Sequence, residues 1–450
     1  MATHTLQIKD RLSIVDVVGG YIKLEKAGKY FRARCPFHNE KTPSFVVSPE
    51  RGTYHCFGCG KGGDIFSFVS EMDGVPFYDA LKTLAEKANV KIVYDQAQEQ
   101  KYTLAQKLQK LTEDATKLFE FVLTKREDVH DYLVKRGINK DTIKKFRIGY
   151  APQNQTLLVD YLKNKKKYTN AEIEQAGLQI QTQHGSRDRF RSRIMFPIFA
   201  PNGKVVAFSG RIYQKDGEAP RDVAKYINSP ETILYHKSEI LFGYDKAKQE
   251  FLKSGFAIVV EGQVDLIMAH QAGNGNTVAV SGTALSEQHL ELIKRFTDTI
   301  LFAFDSDTAG QNATRKAYLL ATGLGMNVKI VSLPYGKDPA DIIKENIKDW
   351  QSALKNAKHI IEYETEVILE KSKDGGKSKH DIRREISNKV LPYIASLDSP
   401  IEQAHFIQYI ANKSGLPEEA IREEVRKTPK VISEISKGDI LDKTSASESF

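Results

Sequence analysis

Residues 256–262 read FAIVVEG, a short run of β-branched residues that ends in an acidic residue and a glycine. Three more runs of this kind follow along the chain: NTVAVSG (276–282), DTILFAFD (298–305) and NVKIVSLP (327–334). Runs of this length, bounded by Gly, Pro or Asp, are typical of buried strands. Segments long enough for helices separate them, at 264–271, 286–296 and 309–324. This alternation predicts a parallel sheet with helices on both faces.

Acidic residues stand where these predicted strands end. They are Glu261 and Asp265 after the first strand, Asp305 and Asp307 after the third, and Asp338 and Asp341 after the fourth. Ligands bind parallel sheets at the carboxyl ends of the strands, so we expect these side chains at one edge. Carboxylates repel one another unless a cation lies among them, and an all-oxygen set suits Mg²⁺ or Mn²⁺. The pattern predicts a phosphoryl- or nucleotidyl-transfer site. The alternative is that each Asp serves only as a turn residue or helix cap.

Length and composition limit the class of protein. A chain of 450 residues is too long for one core and predicts several domains. Its formal charge of +8 is compatible with a polyanionic partner. We find no apolar run near the roughly 20 residues that a membrane span needs, and no signal-peptide core, so we expect a cytoplasmic protein without membrane contact.

The three cysteines all fall within the first 59 residues. Cys35 and His38 form a C-x2-H knuckle, and Cys56 and Cys59 form a C-x2-C knuckle. Three thiolates and one imidazole make a closed tetrahedral site for a structural Zn²⁺. Segments 44–47 and 52–55 alternate like strands, which predicts a zinc ribbon. His55 is a rival ligand, but it precedes Cys56 on a strand and so points to the opposite face.

Several motifs resemble one family. Glu261-Gly262 with Asp265, the Asp305-x-Asp307 pair and the run Lys337-Asp338-Pro339 resemble the Toprim domain of bacterial primases, topoisomerases and some nucleases. The words EGQVDLI, AVSGTALS, FAFDSDTAG and GKDPADII, together with CPFHNEKTPSF and YHCFGCGKGGD, resemble bacterial DnaG-type DNA primases. The family often has Asp-Pro-Asp at the last motif, whereas this chain has Asp338-Pro339-Ala340-Asp341.

The resemblance implies that the zinc module engages single-stranded template. Exposed bases could stack on Tyr30, Phe31, Phe45, Tyr54 and Phe57. The alternative is that these aromatic residues form the core of a small module with few other apolar residues. Phosphates would contact the basic residues Lys23, Lys26, Lys29, Arg32, Arg34 and Lys61.

A second basic region lies in the middle of the chain. Four arginines recur at every second position from 187 to 193, which predicts a strand face that carries several guanidiniums. Segments 194–199 and 204–212, joined at Asn202-Gly203, predict a hairpin. The resemblance implies phosphate contacts with template or nucleotide by Arg191, Arg193, Lys225, Lys237 and Arg211, and further with Asn228.

We therefore expect a multidomain α/β protein. Its parts are a zinc ribbon (1–98), a linker (99–112), a mixed α+β N-terminal catalytic subdomain (113–250), a Toprim subdomain with a parallel, Rossmann-like α/β sheet (251–345), a helical subdomain (346–428) and a disordered tail (429–450). A helix is expected from residue 104 to residue 124. Primases of this type usually continue into a helicase-binding domain, which we expect to be absent here.

The expected activity is a DNA primase, a nucleotidyltransferase that makes short RNA primers on single-stranded DNA from ribonucleoside triphosphates. The resemblance implies two Mg²⁺ or Mn²⁺ ions held by Asp305, Asp307 and Asp338, with Asp341 and Glu261 as further ligands. Glu261 is also a candidate general acid or base, and Asp265 would hold the geometry. Expected partners are the replicative helicase and a single-stranded-DNA-binding protein, and we expect a monomer. Another Toprim enzyme and a non-catalytic DNA-binding protein remain as alternatives.

Overall fold

The computed structural model describes residues 2–38, 40, 42–73, 75, 77–91, 96–183, 185–214, 223–334, 336–375 and 378–429. The chain divides into two compact units, one of residues 1–298 with 343–345 and one of residues 299–342 with 346–450. In the part of the chain that is described, no helix is both long and apolar enough to span a bilayer.

The N-terminal module of the first unit is an antiparallel sheet of five strands in the order β1-β2-β3-β4-β5. Four interlocking rings, those of Phe37, Phe45, Tyr54 and Phe68, fill its core with centroids 5.2–6.1 Å apart. This confirms the predicted ribbon of strands. Its elements are α1 (Ala2–Arg11), α2 (Ile14–Gly19), β1 (Glu25–Ala27), β2 (Tyr30–Ala33), β3 (Phe45–Ser48), β4 (Thr53–Cys56), β5 (Gly62–Gly63), α3 (Ile65–Asp73) and α4 (Phe77–Ala88).

The segment predicted as a linker is helical. Helix α5 runs from Gln96 to Thr124, so it begins eight residues before the predicted helix and covers all of 99–112. Leu108 and Leu111 are fully buried in the core of the subdomain that follows. Their burial stabilises a continuous helix across the segment expected to be a linker.

Two lysines join the N-terminal module to the rest of the first unit. Lys61 Nζ donates to the carbonyl oxygen of Arg295 at 3.1 Å and to Glu71 at 2.8 Å. Lys248 Nζ donates to the carbonyl oxygen of Asp73, the last residue of α3. Cations are stabilised at helix carboxyl ends, so each lysine holds the end of a helix in the neighbouring module.

The next subdomain is built on an antiparallel sheet with strand order β11-β10-β9-β6 and a separate hairpin, β7–β8. The predicted hairpin is present, because β9 and β10 pair on either side of Asn202-Gly203. Its elements are α6 (Glu127–Lys135), α7 (Lys140–Lys145), β6 (Gly149–Ala151), α8 (Leu157–Asp160), a π-helical turn (Tyr161–Lys165), α9 (Asn170–Gln175), β7 (Gln179–Thr182), β8 (Gly185–Asp188), β9 (Arg193–Phe199), β10 (Val205–Ile212) and β11 (Tyr226–Asn228).

The prediction of one basic strand face was wrong. Arg187 lies in β8 and Arg193 begins β9, while Arg189 and Arg191 lie in the connection between these strands. Ser192 in this connection adopts a left-handed backbone with φ of 50°. The turn interrupts the period of two, so the four side chains do not share a face.

All four strands predicted from the apolar runs are present. In the first unit β12 and β13 pair in parallel, with Ile258 opposite Thr277. In the second unit β14 and β15 pair in parallel, with Ile300 opposite Val328. The elements are α10 (Tyr244–Ser254), β12 (Ala257–Val260), α11 (Gln263–Gln271), β13 (Thr277–Ala279), α12 (Glu287–Lys294), β14 (Thr299–Phe302), α13 (Thr308–Gly323), β15 (Asn327–Ile330) and α14 (Pro339–Glu345).

The described residues that follow are helical, as predicted. Glu364 of this region is buried and receives two hydrogen bonds of 2.7 Å from Arg315 of α13. The predicted disordered tail lies outside the described residues from position 430 onward. The helices are α15 (Ile347–Lys355), α16 (Ile360–Gly375), α17 (Lys379–Lys389), α18 (Leu391–Ala395), α19 (Pro400–Ser414) and α20 (Glu418–Lys427).

Candidate functional site

The four predicted zinc ligands converge. The sulfur atoms of Cys35, Cys56 and Cys59 and a ring nitrogen of His38 all lie within 4.8 Å of one another. Among the described residues, no other set of three or more His, Cys, Asp or Glu side chains brings its ligand atoms together in this way. Cys35 Sγ and Cys59 Sγ are 3.9 Å apart. A tetrahedral ion with Zn–S bonds of about 2.3 Å places two sulfurs about 3.8 Å apart, so the residues fit Zn²⁺.

The residues around the ligands orient them. His38 Nδ1 faces Cys56 Sγ at 3.7 Å, while its Nε2 lies 3.4 Å from the carboxylate of Glu40. A carboxylate on the second nitrogen is the usual way in which a ligating imidazole is held. A Cβ on Gly58 would lie 2.6 Å from His38 Nε2, so glycine is needed there for space. Sequence reasoning missed Glu40, whose only signal is its place two residues after the histidine.

Hydrogen bonds also favour the thiolate form of Cys56. Burial opposes the ionisation of Cys56, but donors from the Ser44 hydroxyl and from the backbone N–H groups of Cys59 and Gly58 outweigh it and lower its pKa. Only the thiolate ligates metal, so this surrounding favours the binding form. His55 is exposed on β4, next to buried Cys56, which confirms that it points away from the site.

The aromatic candidates of the ribbon differ in exposure, with Tyr30 and Phe31 half-buried. Phe45 and Tyr54 are buried in its core, so the core alternative is correct for them. Phe57, between the two cysteines of the second knuckle, is 75% exposed and lies edge-on to His55 at 4.8 Å. Arg32, opposite Val46 in the sheet, is also exposed. An exposed aromatic ring and a guanidinium are the groups that bind unpaired bases and their phosphates.

Glu261 and Asp265 lie at the carboxyl end of β12 in the first unit. Glu261 is half-buried, and its carbonyl oxygen accepts a hydrogen bond of 2.9 Å from the N–H of Ser281. Asp265 is buried on the first turn of α11 and accepts from the N–H of Gly262 at 3.1 Å. Asp265 therefore fixes the turn that follows Glu261.

Four of the acidic candidates lie in the second unit: Asp305 and Asp307 in the loop after β14, Asp338 at the end of the loop after β15, and Asp341 in the first turn of α14. Asp307 caps α13 by accepting from the N–H of Gly310 at 2.8 Å, and Asp338 caps α14 by accepting from the N–H of Asp341 at 2.7 Å. Asp307 and Asp338 are therefore helix caps. Each cap uses one carboxylate oxygen, which leaves the second oxygen of the group chemically able to bind a cation.

A serine joins these two acidic loops. The hydroxyl of Ser306, between Asp305 and Asp307, lies 2.8 Å from the carbonyl oxygen of Pro334 and 3.2 Å from that of Lys337. The loop that carries Asp305 and Asp307 is therefore held against the loop that leads into Asp338. The sequence showed Ser306 within a motif, but nothing in the pattern indicated which carbonyl groups it would bind.

The basic candidates in the first unit differ in what they contact. Arg193 is only 5% exposed, and its guanidinium donates to the carbonyl oxygens of Gly210 at 2.9 Å and Ala224 at 3.0 Å. A phosphate contact by Arg193 is thus opposed by the structure, because these donors are already used within the fold. Lys225 is exposed, and Arg191 and Lys237 are half-buried.

Two further candidates are engaged within the protein. Arg211 donates to the hydroxyl of Tyr226 at 2.8 Å and lies over the same ring. Asn228 Nδ2 donates to the carbonyl oxygen of Ser281 at 2.9 Å. Both are partly accessible, since their side chains are half-buried.

Four family models match the chain. They are described as the CHC2 zinc finger (residues 2–100), the DNA primase catalytic core, N-terminal domain (118–248), Toprim-like (258–343) and the DnaB-helicase binding domain of primase (374–419). The last match contradicts the expectation that a helicase-contact region is missing. That region is helical here, and helical periodicity alone did not distinguish it from an ordinary helical subdomain.

Curated relatives and solved structures agree with these matches. The DNA primase of Clostridium acetobutylicum is 35% identical over 427 residues, covering 92% of this chain and 68% of the relative. The DNA primase of Listeria monocytogenes is 34% identical over 446 residues, covering 94% and 68%. The Aquifex aeolicus primase with zinc-binding and RNA polymerase domains is 30% identical with a TM-score of 0.56, covering 93% of this chain and 98% of that chain.

A DnaG primase catalytic domain solved bound to single-stranded DNA is 28% identical with a TM-score of 0.56, covering 71% of this chain and 99% of that one. The zinc-finger, catalytic-core and Toprim-like matches follow one another along the chain. This chain belongs to the bacterial DnaG-type DNA primases, which are nucleotidyltransferase-type RNA polymerases.

Proposed function

We propose that this primase makes short RNA primers on single-stranded DNA by metal-dependent nucleotidyl transfer, with Asp305, Asp307 and Asp338 as ligands of divalent cations. The observation that carries the proposal is the hydroxyl of Ser306, which holds the loop of Asp305 and Asp307 against the loop before Asp338. Carboxylate oxygens are the ligands that Mg²⁺ and Mn²⁺ prefer. Asp341, in the first turn of α14, is the further ligand to test.

When bound, two divalent cations would neutralise the triphosphate and activate the primer 3′-hydroxyl for in-line attack on the α-phosphate. The chain supplies the geometry for that attack. Asp307 and Asp338 each keep one oxygen on a helix amino end, so neither side chain can swing away. Glu261 acts as the general acid or base, or as a ligand, from a turn that Asp265 fixes.

Template and nucleotide phosphates would bind basic residues of the first unit. Lys225 is exposed, and Arg191 and Lys237 are accessible enough to contact a phosphate. Arg211 would contact a phosphate through its guanidinium, which a hydrogen bond to Tyr226 orients. We leave Arg193 out of this set because its donors bind main-chain oxygens. The zinc ribbon adds a surface for unpaired bases at Phe57, with phosphate contacts from Arg32.

Zn²⁺ in the ribbon is structural in this proposal, since all four coordination positions are filled by the protein. The substrates are ribonucleoside triphosphates, and the expected location is the cytoplasm at the replication fork, where a single-stranded-DNA-binding protein is a further candidate partner. We propose a monomer that meets the replicative helicase through the segment 374–419. Ile401, on α19 of this segment, is 83% exposed and offers an apolar contact.

The helicase contact can be tested with the full chain. Ile401→Asp should weaken binding to the partner helicase because a charge replaces an apolar contact in an interface. Leu6→Asp is a matched control, since Leu6 is also an exposed apolar residue but lies on α1 of the zinc module. Equal affinity of Ile401→Asp and the unmodified chain in a titration would exclude this residue as a contact.

The central experiment measures primer synthesis. The chain is incubated with single-stranded DNA, labelled ribonucleotides and Mg²⁺ or Mn²⁺. We expect short RNA products that disappear in Asp305→Ala and persist in Asp298→Ala. Asp298 is a matched control because it precedes β14, whereas Asp305 follows it. Loss of activity in both variants, or in neither, would contradict the assigned site, and cleavage of DNA without RNA synthesis would favour another Toprim activity.

A further inference from the structure

A buried glutamine follows the proposed catalytic glutamate. Gln263 begins α11, two residues after Glu261, and is 3% exposed. Its Nε2 donates to the hydroxyl of Ser209 at 2.7 Å and also to the hydroxyl of Ser281. An amide nitrogen carries two hydrogens, so both contacts can form at the same time. Burying this amide is unfavourable unless such partners are present, which indicates that the contacts are needed.

The two partners lie on different parts of the fold. Ser209 is fully buried on β10, in the antiparallel sheet of the N-terminal catalytic subdomain. Ser281 follows β13 of the parallel pair. Gln263 therefore joins the first turn of α11 to both sheets, at the point where the chain leaves β12.

Ser281 links the amide of Gln263 to the main chain of Glu261. The N–H of Ser281 donates to the carbonyl oxygen of Glu261 at 2.9 Å. Ser281 has a left-handed backbone, with φ of 58°, which a residue with a side chain adopts only when its surroundings hold it. Two side chains hold it here, since Gln263 binds its hydroxyl and Asn228 binds its carbonyl oxygen at 2.9 Å.

We propose that Gln263 is a positioning residue for primer synthesis, which fixes the main chain at Glu261 through Ser209 and Ser281. The proposal rests on the role assigned to Glu261 above. Gln263 does not contact the reacting atoms in this account. It limits the positions that the Glu261 carboxylate can reach, and a small displacement of a catalytic group lowers the rate strongly.

The same helix provides a matched control. Gln271, the last residue of α11, also makes two hydrogen bonds, donating to the carbonyl oxygen of Gly137 at 2.8 Å and accepting from the N–H of Asn139 at 2.9 Å. It holds the carboxyl end of α11, away from Glu261. Gln263→Leu and Gln271→Leu therefore each remove two hydrogen bonds, from opposite ends of one helix.

The test compares turnover and nucleotide affinity in folded variants, judged by melting temperature and zinc content. We expect Gln263→Leu to lower kcat by about tenfold or more with the KM for nucleotide within about twofold, and Ser209→Ala to lower kcat less. Gln271→Leu should keep kcat within about twofold. The double variant Ser209→Ala/Gln263→Leu should be no slower than Gln263→Leu alone, because both changes remove one network.

Two outcomes would overturn the inference. One is an unchanged kcat in Gln263→Leu, or in Ser209→Ala if the leucine variant does not fold. The other is an equal loss of kcat in Gln271→Leu, which would mean that Gln263 only anchors the helix. Glu261→Gln separates this result from a failure of the proposed function. If Glu261→Gln remains fully active, the assigned role of Glu261 is wrong and the inference falls with it.

Discussion

Replacing Ser306 by alanine should weaken metal binding at the Toprim-like loops. Ser306 is buried, and its hydroxyl lies within hydrogen-bonding distance of the carbonyl oxygens of Pro334 and Lys337. One hydroxyl donates one proton, so the variant loses about one net hydrogen bond and leaves acceptors less well satisfied, at a total of about 1–2 kcal/mol. If Asp305 and Asp338 bind one metal together, the binding free energy of Mg²⁺ becomes weaker by this amount. The half-saturating concentration of Mg²⁺ then rises by about 5- to 30-fold.

The assay is the initial rate of primer synthesis measured across a range of Mg²⁺ concentrations. Thr308→Ala is the control, because Thr308 is an exposed hydroxyl residue two positions away. We expect Ser306→Ala to approach the unmodified rate at saturating Mg²⁺, and Thr308→Ala to follow the unmodified curve throughout. An unchanged half-saturating concentration in a folded Ser306→Ala variant would refute the argument that this hydroxyl holds the two acidic loops in register.

Three further predictions concern metal, an ion pair and a histidine. Cys56→Ser should reduce bound zinc, measured by atomic absorption, from one per chain to none, whereas a variant that retains zinc would exclude the ribbon site. Glu364→Gln should lower the free energy of unfolding, measured by urea titration, by about 3 kcal/mol, because it leaves the guanidinium of Arg315 without its buried carboxylate. Arg422→Ala, which breaks an exposed ion pair, should lower it by under about 1 kcal/mol. Burial lowers the pKa of His270 to about 4, so this side chain takes up a proton more readily in the unfolded chain than in the folded one. The free energy of unfolding should therefore have its full value above pH 6.5 and fall by about 3 kcal/mol towards pH 4. His270→Gln should lose less melting temperature between pH 7 and pH 4.5 than the unmodified chain, and an equal loss would count against this group.

Local patterns predicted local structure well. The zinc ligands follow from two short knuckles, because a knuckle needs only a few residues to present two ligands to one ion. The strands β12 to β15 follow from apolar runs. A strand buried on both faces, such as β12 or β13, has little choice of residue type, and β15 keeps an apolar residue at each buried position. Asp307 and Asp338 were identified both as site candidates and as possible caps, and the structure shows the capping bonds.

Predictions failed where a distant segment decided the outcome. The residues predicted as a linker form part of α5, because Leu108 and Leu111 are buried in a core shared with β6, β9 and β10, which come later in the chain. The helicase-binding match at 374–419 was also missed, since its helices carry no distinctive motif.

The sequence alone determined that this chain has a metal-binding ribbon, a Toprim-like series of strands and acidic residues at the strand ends, because ligand spacing and strand burial depend on neighbours in the chain. Only the tertiary structure decided which side chains are free to bind. Arg193 and Lys225 are both basic residues of one region. Arg193 is buried and donates to main-chain carbonyl oxygens, whereas Lys225 is exposed. Phe45 and Phe57 are likewise both aromatic, yet one fills the core and the other is open to solvent. Burial depends on what packs against a residue, and those atoms come from segments that no local pattern identifies.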